Sequence, residues 1–194
     1  EQETETIDQL RNLPLRAAGG DREALAAIEY PGTGPIAQGD LQSLAEHLGF
    51  TVHRSRGIPL AVRSVTDLRH RRIYIAQRDE LTNRAARSVI LQTLGHFALG
   101  HGDPADFTEF LRQRVEANYF AGAVLMPDTA VAAYLRRAVE ERDIAVEDLK
   151  DLFYVSYEMA AQRFTDLATT GLDIRCHFIR SRDDGTVVKA YAND

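Results

Sequence analysis

The chain has 194 residues, 44% of them hydrophobic and 27% charged, with a formal net charge of −6 and one cysteine. That is enough chain to bury one core without covalent staples, and no apolar run reaches the roughly 18 residues that would suggest a bilayer-crossing helix. A lone thiol excludes an internal disulfide or a four-thiolate iron–sulfur site and fits a reducing, cytoplasmic setting, while the acidic balance assigns any contact with DNA to a module outside this chain.

Residues 1–24 mix acidic side chains with a Gly19-Gly20 break and are expected to be a linker from a missing DNA-binding module, leaving residues 25–194 as one domain. The segment from Gln38 to Gly49 predicts a short helix with Asp40 as its cap, Leu41, Leu44, Ala45 and Leu48 on its apolar face and Gly49 as its stop. Alternation of apolar and polar residues then predicts strands over Phe50 to Arg54, Ile58 to Val65 and Arg72 to Ala76, forming a small antiparallel sheet.

The middle turn of that sheet is the strongest local exception to the acidic whole. Arg63, Arg69, Arg71 and Arg72 fall within ten residues together with Asp67 and His70. A solvated basic hairpin is one reading, because charge runs usually face water. An anion site is the other, because guanidinium forks match phosphate oxygens bidentately.

The stretch from Arg87 to His101, RSVILQTLGHFALGH, organises the chain. Thr82 or Asn83 can cap it, and Val89, Ile90, Phe97 and Ala98 recur at helical steps. Residues four apart stand one above the other, so Gln92 and His96 form a vertical pair, with Thr93 beside them and His101 just past the helix end. In the zinc-peptidase pattern H-E-x-x-H both outer positions are histidine ligands and the glutamate is the general base. Here they read Gln92, Thr93, Leu94, Gly95, His96. An amide is a poor zinc ligand and a hydroxyl does not titrate near neutrality, so both the ligand set and the base are broken.

A second helix is expected over Pro104 to Leu125, with Phe107, Phe110, Leu111, Val115, Tyr119 and Val124 at helical spacing and Pro127 as terminator. Its Glu116 shares a face with Phe120 and is expected to hydrogen-bond His96 as a satisfied core pair. Further amphipathic helices are expected over Asp128 to Glu141 and Ala145 to Phe153, and a last one is capped by Ser156, carries Met159, Ala160, Phe164 and Leu167, and stops at Gly171. The last two resemble a helix-turn-helix, but the second lacks the basic N-terminal surface of a reading helix. Asp183-Asp184-Gly185 marks a hairpin between Ile174 to Arg180 and Thr186 to Tyr191, with Cys176 as a buried structural thiol in its first strand.

The pair LQTLGHFALGH and EANYFAGAVLMP, the latter beginning at Glu116 and ending at Pro127, resembles the ImmA/IrrE-type metallopeptidase-like domains, in which a helix AHELGHxxLH precedes ExxANxFAxxLLMP. The segments SVTDLRHRRIYI, RVEANYFAG, VSYEMAAQRFTDLAT and HFIR with GTVVKAY are similar to a branch of that family made of bacterial transcription regulators of short-chain acyl metabolism, mycobacterial propionate regulators and acetate regulators among them. The resemblance spans roughly residues 25–194. It implies an α+β fold, a zincin-like helical domain with a small antiparallel sheet and a C-terminal β-hairpin, in which the third zinc-ligand position falls on Glu116.

For function the resemblance implies an effector-binding domain, not an enzyme. Its ligand would be coenzyme A or an acyl-CoA. Arg63, Arg69, Arg71 and Arg72 would take the phosphates, Tyr74 or Tyr30 would stack on the adenine, and the acyl arm would run toward His96 among Phe97, Tyr119 and Phe120. No zinc is expected at the degenerate positions Gln92, His96 and Glu116. Partners are then the acyl-CoA effector, DNA through the module outside this chain, no membrane, and a second copy as a homodimer. Two other classes remain open: a structural or dimerisation domain without a small ligand, and a zinc peptidase, against which Gln92 and Thr93 both stand.

Overall fold

The computed structural model describes residues 38–77 and 83–192, in which six helices and five strands form two compact units, one ending at Leu125 and one beginning at Met126. In the first unit α1 (Gln38–His47) leads through Gly49, at φ 77°, into β1 (Thr51–Ser55). Only a residue without Cβ takes that turn without strain, and it lets the Phe50 N–H reach back 2.7 Å to the Ala45 carbonyl. Leu41, Ala45 and Phe50 are buried as the apolar spacing requires, whereas the side chain of Asp40 lies outside the described residues.

The sheet is the first departure from the sequence reading. Its order is β1-β3-β2, with β2 (Ser64–Asp67) antiparallel to β3 (Arg72–Ala76) but β1 parallel to it. Residues 56–63 cross the end of β3, so the last strand in sequence takes the middle place. Alternation records which side chains point inward and carries no information on strand order. The run Arg-Ile-Tyr-Ile-Ala suits the middle strand, since Ile73 and Ile75 are fully buried there.

α2 (Asn83–Ala98) lies across this sheet. Ala86, Val89, Ile90 and Leu94 meet Phe50, Ile73, Ile75 and Ala45 in one core, with Phe97 at its border. Thr82 lies outside the described residues, and Asn83 opens the helix. The other side of α2 meets α3 (Phe107–Leu125) where Gly95 removes a side chain: a Cβ there would stand 3.0 Å from Phe120 Cδ1 and 3.4 Å from Ala117 Cα. α3 begins three residues later than the expected Pro104. Its N-terminal apolar positions do not pack inward: Phe107 is 71% exposed and Val115 65%. Helical spacing assigns residues to a common face and leaves open what that face meets.

In the second unit α4 (Asp128–Glu141), α5 (Val146–Leu152) and α6 (Tyr157–Leu172) follow the expected order. Ser156 caps α6 by accepting the Met159 N–H, and Asp173 in the left-handed region ends it, two residues past the expected Gly171. Arg163, buried on α6, donates to the Met126 carbonyl at 3.1 Å and to Asp128. The hairpin of β4 (His177–Ser181) and β5 (Val187–Ala192) is held to α6 through Glu158, which takes both Arg180 and Lys189. Burial raises the Glu158 pKa, but its bonds and charges from Lys189 and Arg180 outweigh that and lower it. Cys176 precedes β4 and is half-buried, so it is neither in the strand nor fully enclosed.

Candidate functional site

The face of α2 turned to α3 carries the positions at which a zinc peptidase holds its metal, and the side chains there form a hydrogen-bonded relay. His96 Nδ1 lies 2.9 Å from His101 Nδ1, and His101 Nε2 lies 2.8 Å from Glu116 Oε2. The other carboxylate oxygen of Glu116 accepts from Arg112 Nη1 at 2.8 Å. Arg112 in turn stands 3.5 Å from Glu109, which accepts the Ala105 N–H.

The expected direct bond between His96 and Glu116 is therefore replaced by one through His101. The α2 helix ends at Ala98, Gly100 takes φ 64°, and the chain folds back so that the His101 N–H reaches the His96 carbonyl at 2.9 Å. That reversal inserts the His101 ring, its side chain only 7% exposed, between the two helices. Sequence spacing placed His101 past the helix end without showing that the chain doubles back. The Arg112–Glu116 clamp was also missed, although its i,i+4 spacing was a legible signal.

With both rings neutral, proton bookkeeping fixes the tautomers. A carboxylate only accepts, so His101 donates from Nε2, and its Nδ1 then carries the lone pair that accepts the His96 Nδ1–H. His96 is left with an accepting Nε2 that has no hydrogen-bond partner among the described residues. Partial burial, followed by the charges of His101 and Arg114, lowers the His96 pKa from its ordinary value and favours this neutral form.

A zinc shared by the two Nδ1 atoms does not fit this arrangement. Two imidazole nitrogens sharing one tetrahedral zinc would stand about 3.3 Å apart, whereas the Nδ1 atoms of His96 and His101 are at the hydrogen-bond distance of 2.9 Å. Among the described residues no group of three His, Cys, Asp or Glu side chains is placed to hold a metal. Thr93, at the position of the catalytic base, gives its hydroxyl to the Val89 carbonyl at 2.9 Å and meets Ser64 Oγ at 3.4 Å, which ties the start of β2 to the helix. Gln92 is half-buried beside it.

The remaining residues of the expected ligand site are only partly brought together. Arg72 pairs with Asp67 at the turn end of the hairpin, while the Arg63 carbonyl bonds the Ala76 N–H at the opposite end, four residues or about 13 Å away. The four arginines thus form no single cluster. Arg69, Arg71 and Arg72 share the turn, which Asp67 closes by accepting the His70 N–H and ring Nδ1; the His70 bonds hold the Asp67 carboxyl below its usual range. Arg63 precedes Ser64 and so lies at the border with α2. All four are exposed and none has an ion-pair partner among the described residues, in contrast to Arg112, Arg137, Arg163 and Arg180. Arg71 alone is partly engaged, its guanidinium 5.0 Å from the Phe50 ring centre.

Phe97 does not line a space around His96. It stacks on Phe50 with ring centres 4.4 Å apart, about 100° round the helix from His96, because it serves the core under the sheet. Phe120 is buried against Gly95, closing the helix pair, and Tyr119 beside it is half-buried. Tyr74 stacks with His53 across the parallel pairing at 5.5 Å, leaving its ring half-exposed. Tyr30 lies outside the described residues.

Comparison with known proteins bears on this geometry at two levels. The family described as the IrrE N-terminal-like domain, named as a peptidase family, matches residues 45–165. A solved structure described as a Mycobacterium tuberculosis transcriptional regulator superposes with a TM-score of 0.66 at 17% identity, covering 99% of this chain and 61% of that one. The likeness is one of fold, and the chain spans less than two thirds of that structure's length. No curated protein matches the sequence. Among the described residues no helix is long and apolar enough to cross a membrane.

Proposed function

The chain belongs to the IrrE N-terminal-like domain family, and from that premise we propose that it is an effector-binding domain of a transcription regulator, taking a short acyl-CoA beside a peptidase site that has lost its chemistry. The observation that carries this reading is the replacement of a ligand and the base by Gln92 and Thr93, with Thr93 already spent on Val89 and Ser64, next to a hairpin whose arginines are exposed and, among the described residues, without ion-pair partners. Hydrolysis needs an activated water, and no group at position 93 activates one. Exposed guanidinium groups without carboxylate partners are what a polyphosphate ligand would meet.

Coenzyme A suits the spread of these cations. It carries a 3′-phosphate and a pyrophosphate at one end and a long neutral arm at the other. Arg69 and Arg72 at the hairpin turn would hold the phosphates, and Tyr74 would offer a ring face to the adenine. The arm would run along β2 past Arg63 toward Thr93 and His96, whose accepting Nε2 is matched to an amide N–H of pantetheine. Few apolar contacts would read the acyl chain, and one methylene is worth about 1 kcal/mol, so acetyl and propionyl would be separated only modestly. The cytoplasm is the compartment where such a ligand is met.

Calorimetric titration with propionyl-CoA tests the reading. Saturable binding, weakened about tenfold or more by Arg69→Ala with Arg72→Ala, is the expected outcome. Absence of heat at millimolar ligand, or binding undiminished in the double variant, would remove the assignment.

A further inference from the structure

The first unit holds a small cavity that neither the relay nor the hairpin turn uses. Its volume is about 70 Å³, and it is lined by Leu41 and Gln42 of α1, Val52 and Arg54 of β1, Ile75 of β3 and Ile90 of α2. Leu41, Ile75 and Ile90 are each at most 2% exposed, so its floor is hydrocarbon. Arg54 is the one charged group among these lining residues.

Arg54 stands where the sheet calls for an apolar side chain. It pairs with Ile75 across the parallel register, as Val52 pairs with Ile73, and both isoleucines belong to the core under α2. Side chains alternate between the two faces along a strand, so Arg54 is carried on the core side of β1, an edge strand, with its head open to solvent. Its Nη2 donates to Asn83 Oδ1 at 3.2 Å, which ties the guanidinium to the start of α2. That bond takes one N–H of the fork, and no carboxylate among the described residues takes another.

We propose that this cavity binds a short aliphatic monocarboxylate, its carboxylate on Arg54 and its tail against Leu41, Ile75 and Ile90. The apolar floor rejects a polar body, because each buried donor or acceptor would need a partner that these side chains lack. The cation at the rim selects an anion, and a guanidinium fork matches a carboxylate bidentately. Inorganic phosphate would meet the cation but leave the hydrocarbon unfilled. Volume limits the tail: a cavity of about 150 Å³ takes benzene, roughly 25 Å³ per carbon, so one of 70 Å³ holds about three carbons beyond the carboxyl.

The site is independent of the acyl-CoA reading. Arg54 lies three residues along β1 from Thr51, the partner of Arg72, which is about 10 Å. A simple acyl thioester has no free carboxylate for Arg54, and a free acid has no phosphates for Arg69 and Arg72.

Amide NMR shifts of the isotope-labelled 194-residue chain test the inference. Sodium acetate, propionate, butyrate and hexanoate are each added at neutral pH to about 50 mM, with sodium chloride holding the ionic strength constant. So small a ligand is expected to bind with a dissociation constant in the millimolar range. Binding should tighten about fourfold per methylene up to butyrate and no further for hexanoate, with the largest shifts at Val52, Arg54, Ile75 and Ile90. Arg54→Gln changes an exposed side chain, should fold as wild type, and should weaken butyrate at least tenfold, with Arg54→Lys in between. Butyramide, of the same shape without the charge, should also bind at least tenfold more weakly than butyrate. Val52→Leu extends a side chain into the cavity and should remove the preference for butyrate over acetate. No saturable shift at these amides with any acid, butyrate no tighter than acetate, or binding undiminished in Arg54→Gln would each overturn the proposal. Displacement of butyrate by propionyl-CoA would overturn it as well, because the acid would then occupy the thioester's place.

Discussion

His101 Nε2 and Glu116 Oε2 are 2.8 Å apart, so the histidine beyond the end of α2, and not the one within it, joins the two helices of the degenerate site. The same ring holds His96 at 2.9 Å through its other nitrogen. Both oxygens of Glu116 are committed as well, but His101 is the enclosed member of the pair, its side chain 7% exposed against 26% for Glu116, whose second partner Arg112 is exposed.

That asymmetry predicts the order of costs. Replacing His101 by alanine strands the His96 Nδ1–H and removes one partner of Glu116, which should cost about 1 to 3 kcal/mol. Glu116→Ala should cost less, since the carboxylate is 26% exposed and its other partner, Arg112, can turn to solvent. Urea midpoints with unchanged slopes measure both. Equal midpoints for wild type and His101→Ala would mean that the relay holds nothing together.

The depressed pKa of His96 gives stability a direction with pH. Its folded value lies below its unfolded value of about 6.5, so the unfolded chain binds the proton first as pH falls. The sign is therefore full stability above about pH 6.5 and progressive loss below it, complete once pH passes the folded value. His96→Gln keeps a polar side chain without the titration and should flatten that slope. Melting temperatures from pH 7.5 downward, compared between the two, check it.

At Gly95 two tendencies oppose. Alanine would gain about 1 kcal/mol of helix propensity. It would also set a methyl group 3.0 Å from Phe120 Cδ1 and 3.4 Å from Ala117 Cα, against a buried ring and a backbone that cannot both withdraw. Overpacking of this kind costs about 1 to 3 kcal/mol, so Gly95→Ala should be net destabilising. Adding Phe120→Leu should recover part of the loss in the Gly95→Ala background, and the denaturation midpoints of the four chains would show it.

Much of this was legible in the residues. Ser156 as a cap, Gly49 as a stop and the hairpin at Asp183 to Gly185 are local chemistry, decided within a few residues, and the structure places them where the spacing did. The chemistry of the groups at Gln92 and Thr93 is read from the residues directly, an amide and a hydroxyl where the peptidase pattern has an imidazole and a carboxylate. The parallel pairing of β1 with β3, the fold-back of His101 and the outward face of Phe107 were not legible. Each depends on where a distant segment lies, and a periodic pattern holds no record of its neighbour. The separation of Arg63 from Arg72 is the same case: nearness in sequence became opposite ends of one hairpin.

The relay also says what it would take to restore a metal. Wild type should purify without stoichiometric zinc and without chelator-sensitive hydrolysis, and elemental analysis showing one tightly held zinc per chain would sink that expectation. Gln92→His alone should gain little. It supplies a second imidazole one turn from His96, whose Nε2 lone pair is available, but Glu116 stays bonded to His101 and Arg112 and cannot close the coordination sphere. Gln92→His with His101→Ala frees that carboxylate, so the double variant should bind zinc at least tenfold more tightly than the single one by calorimetric titration. Even then no peptide should be cut, because Thr93 holds its hydroxyl toward Val89 and cannot take a proton from bound water. Hydrolysis is expected only after Thr93→Glu is added as a third change, and hydrolysis by the double variant would mean that some other group serves as the base.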